Sequence, residues 1–205
     1  KYGFMWFGTE DGLDRYDGVE FKNFRFEPQN PTSINSSSIM SSLVTDSGEL
    51  WFGTYKFGIS KYNDETETFT HYPLDSSDSL LTNSGSTYAL LEDQDGHIWF
   101  GTEESGLFRL SPESGKIDPL TSLTSNDQEL TYYQVSSLFE DHQKRLWIST
   151  VYGLNVLDLT TFELKSYLHD EQDPQSLFDD NVNSVFETFD GFNYQIWVGT
   201  SWGGF

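Results

Sequence analysis

Five of the six tryptophans in this 205-residue chain open the same tetrapeptide. The copies are Trp6-Phe7-Gly8-Thr9, Trp51-Phe52-Gly53-Thr54, Trp99-Phe100-Gly101-Thr102, Trp147-Ile148-Ser149-Thr150 and Trp197-Val198-Gly199-Thr200. Successive tryptophans are 45, 48, 48 and 50 residues apart. After a short loop comes glycine plus an apolar residue: Gly12-Leu13, Gly58-Ile59, Gly106-Leu107 and Gly153-Leu154. Then follow Tyr16-Asp17, Tyr62-Asn63, Leu110-Ser111 and Leu157-Asp158, and an apolar residue closes the unit at Phe21, Phe69, Ile117 and Phe162. A fixed period of this length means one supersecondary unit that buries its core only by stacking on its neighbours.

Within a unit the apolar period is two, the signature of strands. The second unit shows it best. Ile39 to Leu43 reads as a first strand, Asp46-Ser47-Gly48 as a turn and Leu50–Thr54 as a second strand. Ile59–Tyr62 is a third, with Ile59 and Lys61 on one face and Ser60 and Tyr62 on the other. Asn63–Thr66 is a turn and Thr68–Tyr72 a fourth strand. Gly, Asp and Asn supply the backbone angles that tight hairpins need. Four short antiparallel strands per unit make the blade of a β-propeller. The fold expected is therefore all-β, a partial propeller of four to five blades. The repeats run over 1–38, 39–86, 87–134, 135–181 and 182–205, the last incomplete.

Each repeated residue then has a structural job. The tryptophan fills the space between adjacent blades. The glycine lets neighbouring backbones approach. The threonine is expected to bond the backbone of an adjacent blade. None of the three is a catalytic candidate. Ser149 in place of glycine, Lys144 in place of the turn glycine, and the longer turn from Phe189 to Tyr194 are expected to make their blades pack less regularly.

Charge removes several functions. Lys plus Arg is 11, Asp plus Glu is 33, and the net charge is −22. Such a surface repels phosphate backbones, so nucleic acid is not an expected partner. Aromatic residues at 17% argue against disorder. With no cysteine there is no disulfide, thiol nucleophile or Cys-ligated zinc. No apolar stretch reaches the roughly 18 residues that a membrane helix needs. Lys1 opens neither an initiator methionine nor a signal peptide, so the chain reads as a trimmed piece.

These residues resemble the two-component regulator propeller repeat. That family's unit has Asp-x-x-Gly before Leu-Trp-x-Gly-Thr, then Gly-Leu-x-x-Tyr-Asp and a late Phe, and Asp93 to Thr102 is a close copy. The family's Ser-Leu-x-x-Asn link between units is matched by Ser79-Leu80-Leu81-Thr82-Asn83, by Ser176-Leu177 before Asn181, and by Ser33-Ile34-Asn35. The resemblance covers essentially the whole chain. It implies a seven-bladed sensor domain in the periplasm, the sensor part of an inner-membrane protein whose cytoplasmic output is a histidine kinase or a diguanylate cyclase. Some relatives sense oligosaccharides. Seven blades of about 48 residues need about 340 residues. Gly3 stands where Gly48 and Gly96 stand in their units, and residue 205 falls within a fifth unit. An open arc exposes strand edges, so self-association through those edges, or dimerisation of the full-length sensor, is expected.

In a propeller two sets of loops share one face. One joins successive units: Asn30–Ser38, Ser76–Thr87, Ser125–Tyr132 and Asp173–Asn181. The other joins second and third strands: Glu10-Asp11, Tyr55-Lys56-Phe57, Glu103-Glu104-Ser105, Val151-Tyr152 and Ser201-Trp202. Aromatics outside the repeat pattern stack on sugar rings and flanking polar groups bond hydroxyls. The candidate ligand-binding residues are therefore Tyr55, Lys56, Glu103, Glu104, Tyr152 and Trp202, and the expected partner is a soluble ligand such as an oligosaccharide. No catalytic residue, metal ligand or cofactor is assigned. Paired acids such as Asp179-Asp180 read as solvated loops. His71, His97, His142 and His169 lack ligand spacing and read as exposed and unliganded. Asp93-x-Asp95 reads as turn chemistry rather than a calcium site. There is no phosphate loop and no nucleophile elbow. The leading reading is a ligand-sensing domain. The alternatives are a secreted propeller glycosidase or polysaccharide lyase, and a protein-interaction scaffold.

Overall fold

The computed structural model describes residues 3–74, 85–124 and 128–202. The link at Ser79–Asn83 and most of the loop Ser76–Thr87 lie outside them. Strands β1 (Met5–Thr9), β2 (Gly12–Tyr16) and β3 (Phe21–Phe24) form one antiparallel sheet. A four-stranded sheet follows, of β4 (Ile39–Val44), β5 (Leu50–Thr54), β6 (Ile59–Asn63) and β7 (Thr68–Tyr72). The third comprises β8 (Thr87–Glu92), β9 (Ile98–Thr102), β10 (Leu107–Ser111) and β11 (Lys116–Pro119), after which Leu120–Leu123 make a single helical turn, α1. The fourth is β12 (Val135–Glu140), β13 (Arg145–Thr150), β14 (Gly153–Asp158) and β15 (Leu164–Tyr167). β16 (Val182–Phe189) and β17 (Tyr194–Thr200) pair as a fifth. Strands follow one another across each sheet without crossover. Successive sheets meet through their first strands, β4 on β8, β8 on β12 and β12 on β16. The chain is an arc of a β-propeller, and the first strands line its inner side.

The core lies between the sheets. Trp51 and Ile59 of the second sheet pack on Ile98, Phe100, Phe108 and Leu110 of the third. Trp99 packs with Val135, Leu146, Ile148 and Leu157 of the fourth, and Trp147 with Val182 and Val185 of the fifth. Ile59 and Tyr62 point to opposite sides of one sheet yet both are buried, because they serve different cores. Ile34 in the first link plugs the core between the first two sheets. The motif glycines make these approaches close. A Cβ on Gly8 would lie 2.8 Å from Ile39 Cγ2, and one on Gly53 2.6 Å from the Thr87 carbonyl oxygen.

Turn chemistry recurs with the same logic. The Asp or Asn that ends the third strand accepts two backbone bonds: Asn63 Oδ1 from the amides of Glu65 and Thr66, and Asp158 Oδ1 from those of Thr160 and Thr161. Those bonds hold Asp158 below the usual carboxylate range. Rims of adjacent sheets are latched by a glutamate at the end of the first strand. Glu92 accepts from the Asp46 amide at 2.7 Å, Glu140 from Gln94 at 2.8 Å and Glu187 from His142 at 3.1 Å.

One expectation is corrected. The motif threonines bond their own hairpins rather than a neighbouring backbone, and Thr150 also meets the Thr131 hydroxyl of the preceding unit at 3.3 Å. Thr9, Thr54, Thr102 and Thr150 donate to the carbonyls of Gly12, Gly58, Gly106 and Gly153 at 2.8–3.2 Å, closing their own hairpins. The short loop brings that carbonyl over the hydroxyl before any other acceptor. Bonds between sheets come instead from serines of the first strands, Ser41 to the Thr87 carbonyl at 2.7 Å and Ser136 to Val182 at 2.8 Å. The histidines take part in hydrogen bonds. His71 meets the Ser60 hydroxyl, His97 the Asp93 carboxylate, His142 Glu187 and His169 the Leu177 carbonyl. Ser149 is buried and bonds Ser137 at 2.9 Å within a complete four-stranded sheet. Lys144 adopts φ 58°, near the 83° of Gly96 in the same turn position.

The Asp93-x-Asp95 turn serves the tryptophan. Asp93 Oδ1 accepts from the amides of Asp95 and His97, and Oδ2 from Trp99 Nε1 at 2.8 Å. Asp141 repeats this for Trp147. In the second sheet Thr45 holds the position, bonding the Glu49 amide, and the buried Trp51 Nε1 has no partner among the described residues. A buried donor left unpaired costs about 1–3 kcal/mol. Thr45→Asp is therefore expected to stabilise the chain by about 1 kcal/mol, which calorimetry would read as a melting point about 2–4 °C higher.

Candidate functional site

On the loop face, a cleft of about 580 Å³ opens over the inner ends of the first three sheets. Its wall includes Tyr55 and Lys56 from the loop after β5, and Glu103 and Glu104 from the loop after β9. The links between sheets hold these loops in place: the Tyr55 amide donates to the Ser38 carbonyl at 3.0 Å and the Glu103 amide to Ser86 at 2.9 Å. Lys56 takes φ 65°, a left-handed backbone uncommon for lysine. Its Nζ stands 5.0 Å from the centre of the Tyr55 ring. The Tyr55 side chain first, with Glu104 and Glu103 further away, holds the ammonium above the ordinary lysine range, so it stays charged at neutral pH.

Four of the six candidate residues thus share one cleft. Tyr152 and Trp202 do not line it. They occupy the corresponding loops of the fourth and fifth sheets, 55% and 75% exposed. The cleft also draws on residues that sequence reasoning left out: Glu10 after β1, Met40 in β4 and Tyr88 in β8. Met40 and Tyr88 occupy the position after the β-branched residue that opens each first strand. Across the units that position holds Met40, Tyr88, Ser136 and Asn183. Free variation at a fixed point of an otherwise registered repeat was the signal. Among the described residues no group of histidines and carboxylates is arranged to hold a metal ion.

The profile of the two component regulator propeller matches residues 81–104 and 129–152. Two stretches of the chain are similar to the two component regulator propeller repeat. The first matched copy of the repeat contains Tyr88, Glu103 and Glu104, and the second contains Tyr152. No curated protein matches the chain. Among solved structures, the extracellular domain of the hybrid two component system BT4673 from B. thetaiotaomicron is 26% identical with a TM-score of 0.78, over 98% of this chain and 25% of that one. The extracellular domain of BT3049 from the same organism is 23% identical with a TM-score of 0.53, over 98% of this chain and 31% of that one. Virginiamycin B lyase from Staphylococcus aureus is 14% identical with a TM-score of 0.65, over 96% and 59%. The last two likenesses concern the fold alone. The chain spans about a quarter of the BT4673 domain. Among the described residues no helix is long and apolar enough to cross a membrane.

Proposed function

We propose that the chain is part of an extracytoplasmic ligand-sensing propeller of a bacterial transmembrane signalling protein, periplasmic in location, and that it recognises a soluble oligosaccharide. It works by binding rather than by turnover, and any kinase or cyclase output lies elsewhere in the full-length protein. The observation that carries this reading is the cleft. It gathers an aromatic ring, an ammonium and two carboxylates from two adjacent loops at the inner end of a rigid sheet array. Its volume is that of a small-molecule site, about 300–1,000 Å³. Variable loops on a fixed scaffold are where binding groups concentrate. The similarity to extracellular domains of signalling systems supports the sensing role.

The test is calorimetric titration of the chain with a panel of oligosaccharides. Binding by at least one neutral member is expected, with Tyr55→Ala weakening it by about fivefold, the loss of one stacking contact of about 1 kcal/mol. Tyr152→Ala and Trp202→Ala are expected to bind as the parent does. Unchanged binding by Tyr55→Ala would move the site off the cleft. Release of cleaved sugar would favour the hydrolase or lyase reading instead.

A further inference from the structure

The first strand of each unit breaks its pairing at one place. Ile39 faces Thr54 and Ser41 faces Gly53, so two residues of β4 are spanned by one step of β5. The same slip occurs between Thr87 and Ala89, Val135 and Ser137, and Val182 and Ser184. A bulge of this kind inserts one unpaired residue and re-aims its side chain. The inserted residues are Met40, Tyr88, Ser136 and Asn183. They sit on the innermost strands, one per blade.

The four differ in what they do. Ser136 Oγ donates to the Ser149 carbonyl at 3.1 Å as well as to Val182, and Asn183 Nδ2 donates to the Ser201 hydroxyl at 3.0 Å. These side chains are spent on the scaffold. Met40 and Tyr88 are large and both line the cleft, with the Ser38 hydroxyl against the Met40 sulfur at 3.6 Å. The bulges carry long side chains in the two blades whose loops supply Tyr55, Lys56, Glu103 and Glu104.

We infer that Tyr88, with Met40 beside it, is the specificity-determining floor of the cleft, a seat for one ring of the ligand, and that the rim selects an uncharged sugar over a uronate or sulfated one. This rests on the ligand-sensing reading. The aromatic face and thioether offer a flat, apolar surface suited to the C–H face of a pyranose. Among the lining residues Glu10, Glu103 and Glu104 are acids and Lys56 is the one cation, and Lys56 is already engaged with Tyr55. An anionic ring would meet an excess of like charge, in a protein of net charge −22.

The experiment titrates the chain with xylohexaose, maltohexaose and hexagalacturonate. At least one neutral hexamer is expected to bind, with hexagalacturonate at least about tenfold weaker. Tyr88→Ala should cost the neutral ligand about tenfold and Tyr88→Phe little, since the ring rather than the hydroxyl forms the seat. Glu104→Lys, on an exposed side chain, should narrow the gap between neutral and anionic hexamers. Normal binding by Tyr88→Ala alongside impaired Tyr55→Ala would overturn the floor while leaving the cleft as the site. Normal binding by both would remove the cleft and this inference together. Tightest binding of hexagalacturonate, or no binding of either neutral hexamer, would overturn the selection.

Discussion

Asp141→Ala is expected to lower the stability of the chain by about 2–4 kcal/mol, the cost of leaving a buried indole donor and turn amides without their acceptor. The Asp141 side chain is fully buried and takes four bonds. The Gln143 and Arg145 amides reach Oδ1 at 2.9 and 3.0 Å, and Arg145 Nε and Trp147 Nε1 reach Oδ2 at 2.6 and 2.8 Å. Alanine would leave a buried indole donor and two turn amides without partners, and loosen the Arg145 guanidinium that lies 5.3 Å from the Trp147 ring. The carboxyl also fixes a pH dependence. Burial pushes its pKa up, and the bonds from Trp147, Arg145 and Gln143 outweigh burial and hold it below the usual range. Its stabilisation is thus complete above the unfolded aspartate value of about 3.9 and is lost as pH falls through the lower folded value. Urea melts at pH 7 should separate parent from variant by the full amount. The gap should begin to narrow as pH falls below about 4. A gap that stayed constant to pH 3 would show that the carboxylate's charge contributes nothing.

Trp99→Ala should be as damaging, and Trp197→Ala mild. The two residues hold the same place in the repeat. Trp99 has no exposed surface and lies between the third and fourth sheets, whereas Trp197 is 41% exposed and stacks on Phe186 at 6.2 Å. Truncating a buried tryptophan costs about 3–5 kcal/mol, and here the Asp93 carboxylate also loses a donor. Among the described residues the Trp197 ring meets Phe186 and Thr188 of its own sheet, and a loss of about 1 kcal/mol is expected in this chain. Parallel chemical denaturation of the two variants decides it. Equal losses would mean that the tryptophan stabilises its own sheet rather than the junction with the next.

The strands were legible because each unit states them again. The limits of β5 and β7 follow directly from the second repeat, since Gly48 and the Asn63 turn bound them on either side. The place of the tryptophans between sheets was equally plain from their size and period. The threonine bond was misassigned because sequence spacing says which residues are near in the chain, and the Gly58 carbonyl was nearer than any other blade. The histidine partners lay beyond reach for a related reason: His142 meets Glu187 across a blade junction, 45 residues away. At the site, the loops announced themselves by carrying aromatics and acids where the repeat asks only for a short link. Met40 and Tyr88 did not, because a bulge shifts the alternation by one residue and strands this short do not mark in sequence where the shift falls.

The tryptophan of each blade is sealed by residues synthesised afterwards. Trp51 waits for Ile98 to Leu110, Trp99 for Leu146 to Leu157, and Trp147 for Val182 and Val185. A chain leaving the ribosome therefore carries one unsealed indole at its growing end, and each new blade closes the one before it. A shortened product would leave the last tryptophan made without its cover, an apolar surface open to misassociation.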